Sequence, residues 1–219
     1  MNAPLNWSDI ATSGGFSTAD VARLIGRPAS TVAAWLRGSP PIIETDYEPL
    51  NGRPLLSFDA LVEARAISHL LGEIKPARLR SIMREFRQKT GARHPLAKDQ
   101  RFVTDGFRLF EVADDKLINV VNECYAEPTL LHPLLKGKVI YDNGAARYFM
   151  PDPDKLPLVR VDPRHAFGKP VVIDLNRVVT TSALADSATL EGVAEAADWF
   201  GVSEAAVEQA LQFEQQLAA

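Results

Sequence analysis

The stretch FSTADVARLIGRPASTVAAWLRG, residues 16–38, decides the fold of the N-terminal part of the chain. Ser17 stands three residues before Asp20, the spacing of a helix N-cap followed by an acidic first turn. Gly26 ends this helix, and a second helix begins near Ala29. Two short helices joined by a glycine turn predict a helix-turn-helix, whose second helix presents its outer face to the DNA major groove.

The outer face of the predicted second helix carries short side chains, so its backbone is able to approach DNA closely. Ser30 and Thr31 are predicted to reach phosphates or base edges. Arg27 and Arg37 flank the helix and are predicted to bind phosphates. The alternative is a helical pair used for packing alone, without DNA binding.

Residues 42–57 are short and β-like. Ile42-Ile43 and Leu55-Leu56 flank a turn-rich middle, which predicts a two-stranded wing. Arg53 lies in this wing and is predicted to bind the DNA backbone. Two further helices are predicted after the wing, one capped by Ser57 and the other spanning residues 76–90.

This stretch resembles the DNA-binding head of the MerR family. Residues 16–38 match its aromatic start, its Ala-Arg-Leu, its glycine turn and its Thr then Trp. GRPLLSFDALVEARAISHLLG, residues 52–72, resembles the end of its wing and the next helix. The chain departs from the family at Ala33-Ala34, where an Arg-Tyr pair is frequent, and it lacks metal-binding cysteines and an evident coiled-coil helix. The resemblance implies DNA binding without metal sensing.

Positive charge is concentrated between residues 61 and 101, which carry 10 basic and 4 acidic side chains. The predicted helix in PARLRSIMREFRQKTGAR, residues 76–93, has an apolar stripe, with the basic side chains on the remaining surface. The stripe consists of Leu79, Ile82, Met83 and Phe86, and the basic set of Arg78, Arg80, Arg84, Arg87, Lys89 and Arg93. Phosphate binding, docking of an acidic partner and a merely solvated face remain open.

The rest of the chain divides into a β-rich segment and an acidic helical part. Residues 101–121 predict a β-meander, and residues 138–149 predict two more strands. Residues 161–219 carry 3 basic and 9 acidic side chains, so phosphates would be repelled there and a protein partner is favoured. The elements predicted in this part are strands near 158–161 and 171–173 and helices near 182–187, 189–199 and 203–217.

The C-terminal part resembles a small bacterial antitoxin domain found beside genes for PIN-like toxins. The matching features are Asp162-Pro163, GKPVV at residues 168–172, and a terminal pair of helices. Residues 174–177, DLNR, depart from the Gly-Thr-Arg step of that family. The combination with a MerR-like head, and TDGFRLFEV at residues 104–112, resembles the larger VapB-type antitoxins. It implies a protein that masks a PIN-like ribonuclease toxin and represses its own operon.

Several classes of protein are excluded by composition or by missing motifs. The chain is 46% hydrophobic and 24% charged, with no run of 18 apolar residues, so no membrane span is expected. The start of the chain has no signal-peptide pattern, and the lone Cys124 is predicted to be a buried thiol in a cytoplasmic protein. The four histidines are far apart, so no enzyme, cofactor or metal site is expected.

We therefore predict a mostly helical α+β protein. Its parts are a winged helix-turn-helix (16–93), a central antiparallel β segment (101–150) and a C-terminal helical domain (157–219), with an irregular lead-in before them. The expected partners are operator DNA, a PIN-like ribonuclease toxin and a second copy in a homodimer. The alternatives are a stand-alone MerR-like regulator that binds a small molecule, and an interaction scaffold that binds no DNA.

Overall fold

The computed structural model shows an α+β fold, as predicted. It describes residues 7–72, 74–98, 101–104, 109–113, 116–119, 125–126, 132–133 and 138–218. Within these residues there are eight α-helices: α1 (Trp7–Ser13), α2 (Thr18–Ile25), α3 (Ala29–Leu36), α4 (Phe58–Leu70), α5 (Pro76–Thr90), α6 (Thr181–Glu191), α7 (Val193–Phe200) and α8 (Glu204–Ala218). No helix in this described part is both long enough and apolar enough to span a bilayer.

The strands in the described residues form three sheets. They are β1 (Phe16–Ser17), β2 (Leu55–Leu56), β3 (Arg101–Thr104), β4 (Leu109–Ala113), β5 (Lys116–Asn119), β6 (Tyr125–Ala126), β7 (His132–Pro133), β8 (Val139–Asp142), β9 (Ala145–Phe149), β10 (Val159–Val161), β11 (Pro170–Asp174) and β12 (Arg177–Thr180). The sheet orders are β1–β2, β6–β5–β4–β3–β7 and β12–β11–β10–β9–β8.

The chain divides into two compact units. The first consists of residues 1–5, 16–136 and 141–146, and the second of residues 6–15, 137–140 and 147–219. The first unit therefore holds the predicted helix-turn-helix and the basic helix, and the second holds the acidic C-terminal helices.

The first two helices of the first unit, α2 and α3, form where the sequence predicts them. The Asp20 N–H donates to Ser17 Oγ at 3.2 Å, and the Ser17 N–H donates back to Asp20 Oδ2 at 3.0 Å. Gly26 ends α2 with φ +66°, a left-handed conformation that glycine adopts without a steric penalty. This reciprocal cap and the glycine turn fix the ends of α2, and α3 starts three residues later at Ala29.

The predicted pairing of Ile42-Ile43 with Leu55-Leu56 is wrong. Strand β2 pairs with β1 instead, so that Phe16 lies opposite Leu56. The N–H groups of Ile42 and Ile43 both donate to the carbonyl oxygen of Trp35, at 2.9 and 3.2 Å. The chain turns back directly after α3, and both isoleucines are buried in the core and do not form a strand.

A two-residue turn forms the tip of the segment between α3 and β2. Leu50 and Arg53 exchange both backbone hydrogen bonds, at 2.9 and 3.0 Å. Asn51 and Gly52 lie between them with φ of 51° and 74°, the type I′ geometry that Asn-Gly favours. We call residues 45–54 the hairpin loop.

Helices α4 and α5 supply much of the core of the first unit, in agreement with the prediction. Ser57 caps α4, since its Oγ accepts the N–H of Ala60 at 3.2 Å. Nearly every position of α4 is buried, which makes it the central helix of this unit. The predicted apolar stripe of α5 is buried in full: Leu79, Ile82, Met83 and Phe86.

The predicted β-meander is also present in the first unit. Strands β3, β4 and β5 pair in chain order and antiparallel, with Thr104 opposite Leu109 and Ala113 opposite Lys116. The short strands β7 and β6 extend the sheet at its two edges. Cys124, predicted to be a buried thiol, lies outside the described residues.

The second unit confirms the two strands predicted in the C-terminal part and adds a third. The predicted strands correspond to β10 and β11, which pair with Val159 opposite Val172. β12 follows β11 in a hairpin, at residues for which the sequence predicted neither a strand nor a helix. The predicted helix break at residue 188 is wrong, because α6 continues to Glu191 and is capped by Gly192.

The prediction of an irregular lead-in is wrong for the residues of α1. This helix belongs to the second unit, where Ile10 is buried. The N–H of Gly15 donates to the carbonyl oxygen of Phe167 at 3.3 Å, which ties the end of this segment to the second unit. A seven-residue helix with one buried apolar residue has too weak a period to be recognised in the sequence.

Candidate nucleic-acid interface

A groove of about 730 Å³ opens on the first unit. It lies between the outer face of α3, the start of α2 and the hairpin loop. The lining residues include Thr18, Ser30, Ala33, Arg37, Arg53 and Pro54. Two of the lining residues are arginines, and among the described residues that line the groove none is acidic. The groove is therefore a cationic concavity whose helical side carries mainly small side chains.

Three of the five predicted DNA-binding residues share this groove. Ser30 lies on α3, Arg37 follows its last turn, and Arg53 lies on the hairpin loop; all three are exposed. Thr31 is half-buried on α3 and is not among the lining residues. The fold thus brings together two cationic residues that are 16 positions apart in the sequence.

Arg27 has a different position from the other predicted residues. Its Nε donates to Ser68 Oγ at 2.7 Å, and its Nη2 donates to the carbonyl oxygen of Ser68 at 3.0 Å. Ser68 lies near the end of α4, so Arg27 ties the turn between α2 and α3 to that helix. Arg65 of α4 adds a longer hydrogen bond, of 3.5 Å, to the carbonyl oxygen of Ile25. These hydrogen bonds connect the end of α2 and the turn that follows it to α4.

Arg80 reaches the end of α3 from α5. Its Nη2 donates to the carbonyl oxygen of Arg37 at 3.3 Å. Its guanidinium carbon lies 3.1 Å from where a Cβ would be at Gly38, which has φ +110°. Glycine at position 38 therefore leaves room for this guanidinium and for the left-handed backbone. The sequence assigned Arg80 to a basic surface without indicating that it supports α3.

A buried ion pair lies in the core of the first unit. Glu63 of α4 is fully buried, and Nη2 of Arg87 donates to its Oε2 at 2.9 Å. The same guanidinium donates to the carbonyl oxygens of Ile42, at 2.6 Å, and Arg93, at 2.8 Å. A buried charge pair is tolerated when its remaining polar atoms are also satisfied. The backbone acceptors satisfy the guanidinium, whereas Glu63 Oε1 has no hydrogen-bond partner among the described residues.

His94 connects this ion pair to the hairpin loop. Its Nδ1 lies 3.1 Å from Glu63 Oε2, and its Nε2 lies 2.9 Å from Asp46 Oδ1. Burial alone lowers the pKa of His94, but the charges of Glu63 and Asp46 outweigh it and raise the pKa to about 9. The imidazole is therefore protonated at neutral pH and donates from both ring nitrogens.

Asp46 carries the network into the hairpin loop. Burial raises the pKa of Asp46, but the hydrogen bonds from His94 and Ser57 outweigh it and lower the pKa below 3.8. The Ser57 N–H donates to Oδ2 at 3.1 Å, and Arg93 Nη1 donates to the carbonyl oxygens of Thr45 and Asp46 at 2.8 and 3.3 Å. Buried charges thus fix the base of the hairpin loop, and with it the place of Arg53 at the groove.

The expectation that Arg87 lies on the exposed face of the basic helix is wrong, since it is 8% exposed. It directly follows Phe86, at the edge of the apolar stripe, and Glu63 supplies its counter-charge. The sequence contained a signal for this pair, because Glu63 lies in the run ALVEARAI, residues 60–67, which is apolar apart from Glu63 and Arg65, and a buried carboxylate needs a cation. Arg93, also assigned to the surface, is half-buried against the hairpin loop.

The described residues contain no group of three or more His, Cys, Asp or Glu side chains that would hold a metal ion. The ring nitrogens of His94 are both occupied by carboxylates, so this histidine acts within the core and not at the groove.

Comparison with known proteins establishes the fold and goes no further. No protein-family model and no curated protein matches the chain. The crystal structure of Rv2018 from Mycobacterium tuberculosis is similar, with a TM-score of 0.61 over 90% of this chain and 96% of that chain. The two sequences are 17% identical, so the similarity is one of architecture.

The buried ion pair predicts different effects for two neighbouring arginines of α5. Arg87→Met removes one of the two cations that contact buried Glu63, leaving only His94, and should lower the free energy of unfolding by about 3–5 kcal/mol. Arg84→Met changes an exposed residue of the same helix and should stay within about 0.5 kcal/mol of wild type. Urea unfolding followed by the fluorescence of Trp35, with Trp7 and Trp199 replaced by Phe, measures both values. Equal losses in the two variants would contradict the assignment.

The raised pKa of His94 predicts a pH-dependent stability. The pKa rises from an ordinary 6.5 to about 9 on folding, so its stabilisation is complete below pH 6.5 and is lost as the pH approaches 9. The difference in unfolding free energy between wild type and His94→Gln should therefore shrink by a few kcal/mol across this window. Gln88→Ala, which changes an exposed and uncharged residue of α5, is the control and should keep the wild-type profile. A constant difference for His94→Gln would exclude the protonated network.

Proposed function

We propose that this chain is a DNA-binding antitoxin of a type II toxin–antitoxin system. In this proposal α2, α3 and the hairpin loop act as a winged helix-turn-helix of the MerR type that binds operator DNA as a homodimer. The acidic second unit binds and neutralises a PIN-like ribonuclease toxin in the cytoplasm. The resemblance of residues 16–90 to MerR proteins and of residues 157–217 to VapB-type antitoxins supports both halves.

The observation that carries the DNA-binding half is the shared groove of α3 and the hairpin loop. Its small-residue helical face lies between Arg37 at one end of the helix and Arg53 on the hairpin loop. With its side chains an α-helix is about 10–12 Å across, which is comparable to the width of the major groove, about 12 Å. In the proposed complex α3 enters the major groove, while Arg53 on the loop binds the flanking phosphates.

Charge supports the separation of the two proposed partners. The first unit contains the stretch with ten basic and four acidic residues, between positions 61 and 101. The second unit contains residues 161–219, with three basic and nine acidic residues. The exposed cations of the first stretch include Lys75, Arg78, Arg84, Lys89 and Lys98. They attract a polyanion, whereas the acidic C-terminal part repels one, so DNA and protein partners are expected to bind different units.

The DNA-binding half predicts a loss of affinity when either groove arginine is removed. Arg37→Ala and Arg53→Ala should each weaken binding to the DNA upstream of the chain's own gene by about 5- to 30-fold, and should each reduce the slope of log affinity against log salt by about 1. Lys155→Ala, an exposed cation of the second unit, is the control and should bind as wild type. Fluorescence anisotropy at several salt concentrations measures both quantities; unchanged slopes would contradict phosphate binding.

The antitoxin half predicts a complex with the product of the adjacent reading frame. Expressed alone, that product should arrest growth, and co-expression with this chain should restore growth and yield a complex that survives size-exclusion chromatography. If the neighbour is harmless and does not bind, the antitoxin proposal is wrong. Operator binding without a partner would then favour a stand-alone regulator.

A further inference from the structure

The second unit has a surface whose large apolar side chains are exposed and do not contribute to its core. The turn between β11 and β12 meets the junction of α7 and α8, where the Ser203 N–H donates to Asp174 Oδ2 at 2.7 Å. Arg177 lies over the same junction, with its Nε 3.4 Å from where a Cβ would be at Gly201. We call residues 174–177 and 199–203 together the corner surface. Hydrogen bonds from Ser203 lower the pKa of Asp174. The carboxylate that joins the β11–β12 turn to the α7–α8 junction therefore stays ionised.

Two large apolar side chains of the corner surface point to solvent. Trp199 is 80% exposed and Leu175 is 67% exposed, while the inward face of α7 is formed by Ala196 and Ala197. Val178, which follows Arg177 on β12, is 43% exposed. Aromatic side chains of this kind are enriched at the centres of protein interfaces. The exposed set is therefore an apolar centre suited to a protein partner.

The backbone at Leu175 gives a second, independent indication. Leu175 and Asn176 form the turn with φ of 43° and 62°. Asn tolerates this left-handed conformation, whereas a leucine is disfavoured there and gains no burial in return. A sidechain held in a disfavoured conformation and exposed to water is typical of a site that serves binding and not folding.

The charges around the corner surface favour a cationic protein partner. Glu195 lies one helical turn before Trp199 on α7, Asp198 precedes it, and Glu204 begins α8; all three are exposed. Arg177 is an exposed cation of the same surface, and these three carboxylates outnumber it. A second copy placed on this surface would therefore face a net negative charge like its own, which disfavours a homodimer here. A ribonuclease presents a cationic surface to its polyanionic substrate, and that surface complements an acidic rim around an apolar centre.

We propose that the corner surface binds the cationic RNA-binding face of the ribonuclease partner, with Trp199 and Leu175 as apolar anchors inside an acidic rim. This inference rests on the proposed antitoxin function and deepens it by naming the surface. Binding there would exclude RNA, because the acidic rim occupies the cations that otherwise hold phosphates.

Three exposed residues of the second unit provide the test, with the product of the adjacent reading frame as the probe. Trp199→Ala should weaken the complex about 30-fold, the effect of losing an aromatic anchor. Leu175→Asn should raise the melting temperature, because Asn suits the turn, and at the same time weaken binding. Trp7→Ala, on α1 and 66% exposed, is the matched control and should bind within twofold of wild type.

The outcomes separate this inference from the proposed function. If wild type binds the probe and Trp199→Ala and Leu175→Asn bind equally well, the corner surface is wrong and the antitoxin function stands. If wild type binds nothing, the antitoxin function fails and the corner surface fails with it. If Trp199→Ala converts a dimer to a monomer in sedimentation velocity, the occupant is a second copy, which also overturns the inference.

Discussion

The first unit depends on the buried charge of Glu63. A carboxylate without solvent would be strongly unfavourable in the core, and Arg87 and protonated His94 compensate it from two directions. Because each of these cations also binds a neighbouring segment, the compensation joins α4 to α5, to the residues after α5 and to the hairpin loop. The need to neutralise one side chain thereby sets the geometry of the groove on the surface.

The sequence predicted elements far better than it predicted their partners. Ser17, Gly26 and Ser57 act through hydrogen bonds to residues a few positions away, so the ends of α2 and the start of α4 could be recognised from local pattern. The pairing of β2 with β1 joins residues about 40 positions apart. A strand of two residues is too short for its sequence pattern to indicate which strand it pairs with.

The candidate site was predictable to a similar extent. Ser30, Arg37 and Arg53 were identified from the helix-turn-helix and wing patterns, and the fold places them in one groove. Arg27 has the same local pattern, yet Ser68, 41 positions away, engages it instead. An arginine that donates to groups of its own fold cannot be told in sequence from one that is available to a ligand. The difference lies in which acceptors the fold brings within reach.

The base of the hairpin loop is held by the charged network around His94 and by the β1–β2 pair. Its tip, as far as the described residues show, bonds to itself through Leu50 and Arg53. Lengthening a loop whose ends are already fixed changes its closure entropy by little, so insertions at residues 51–52 are expected to be compatible with an unchanged core. Chains of this architecture are thus free to differ in how far the tip extends beyond α3. If the first unit binds DNA as proposed, the length of this surface turn, and not α3 alone, would set how much of the nucleic acid it covers.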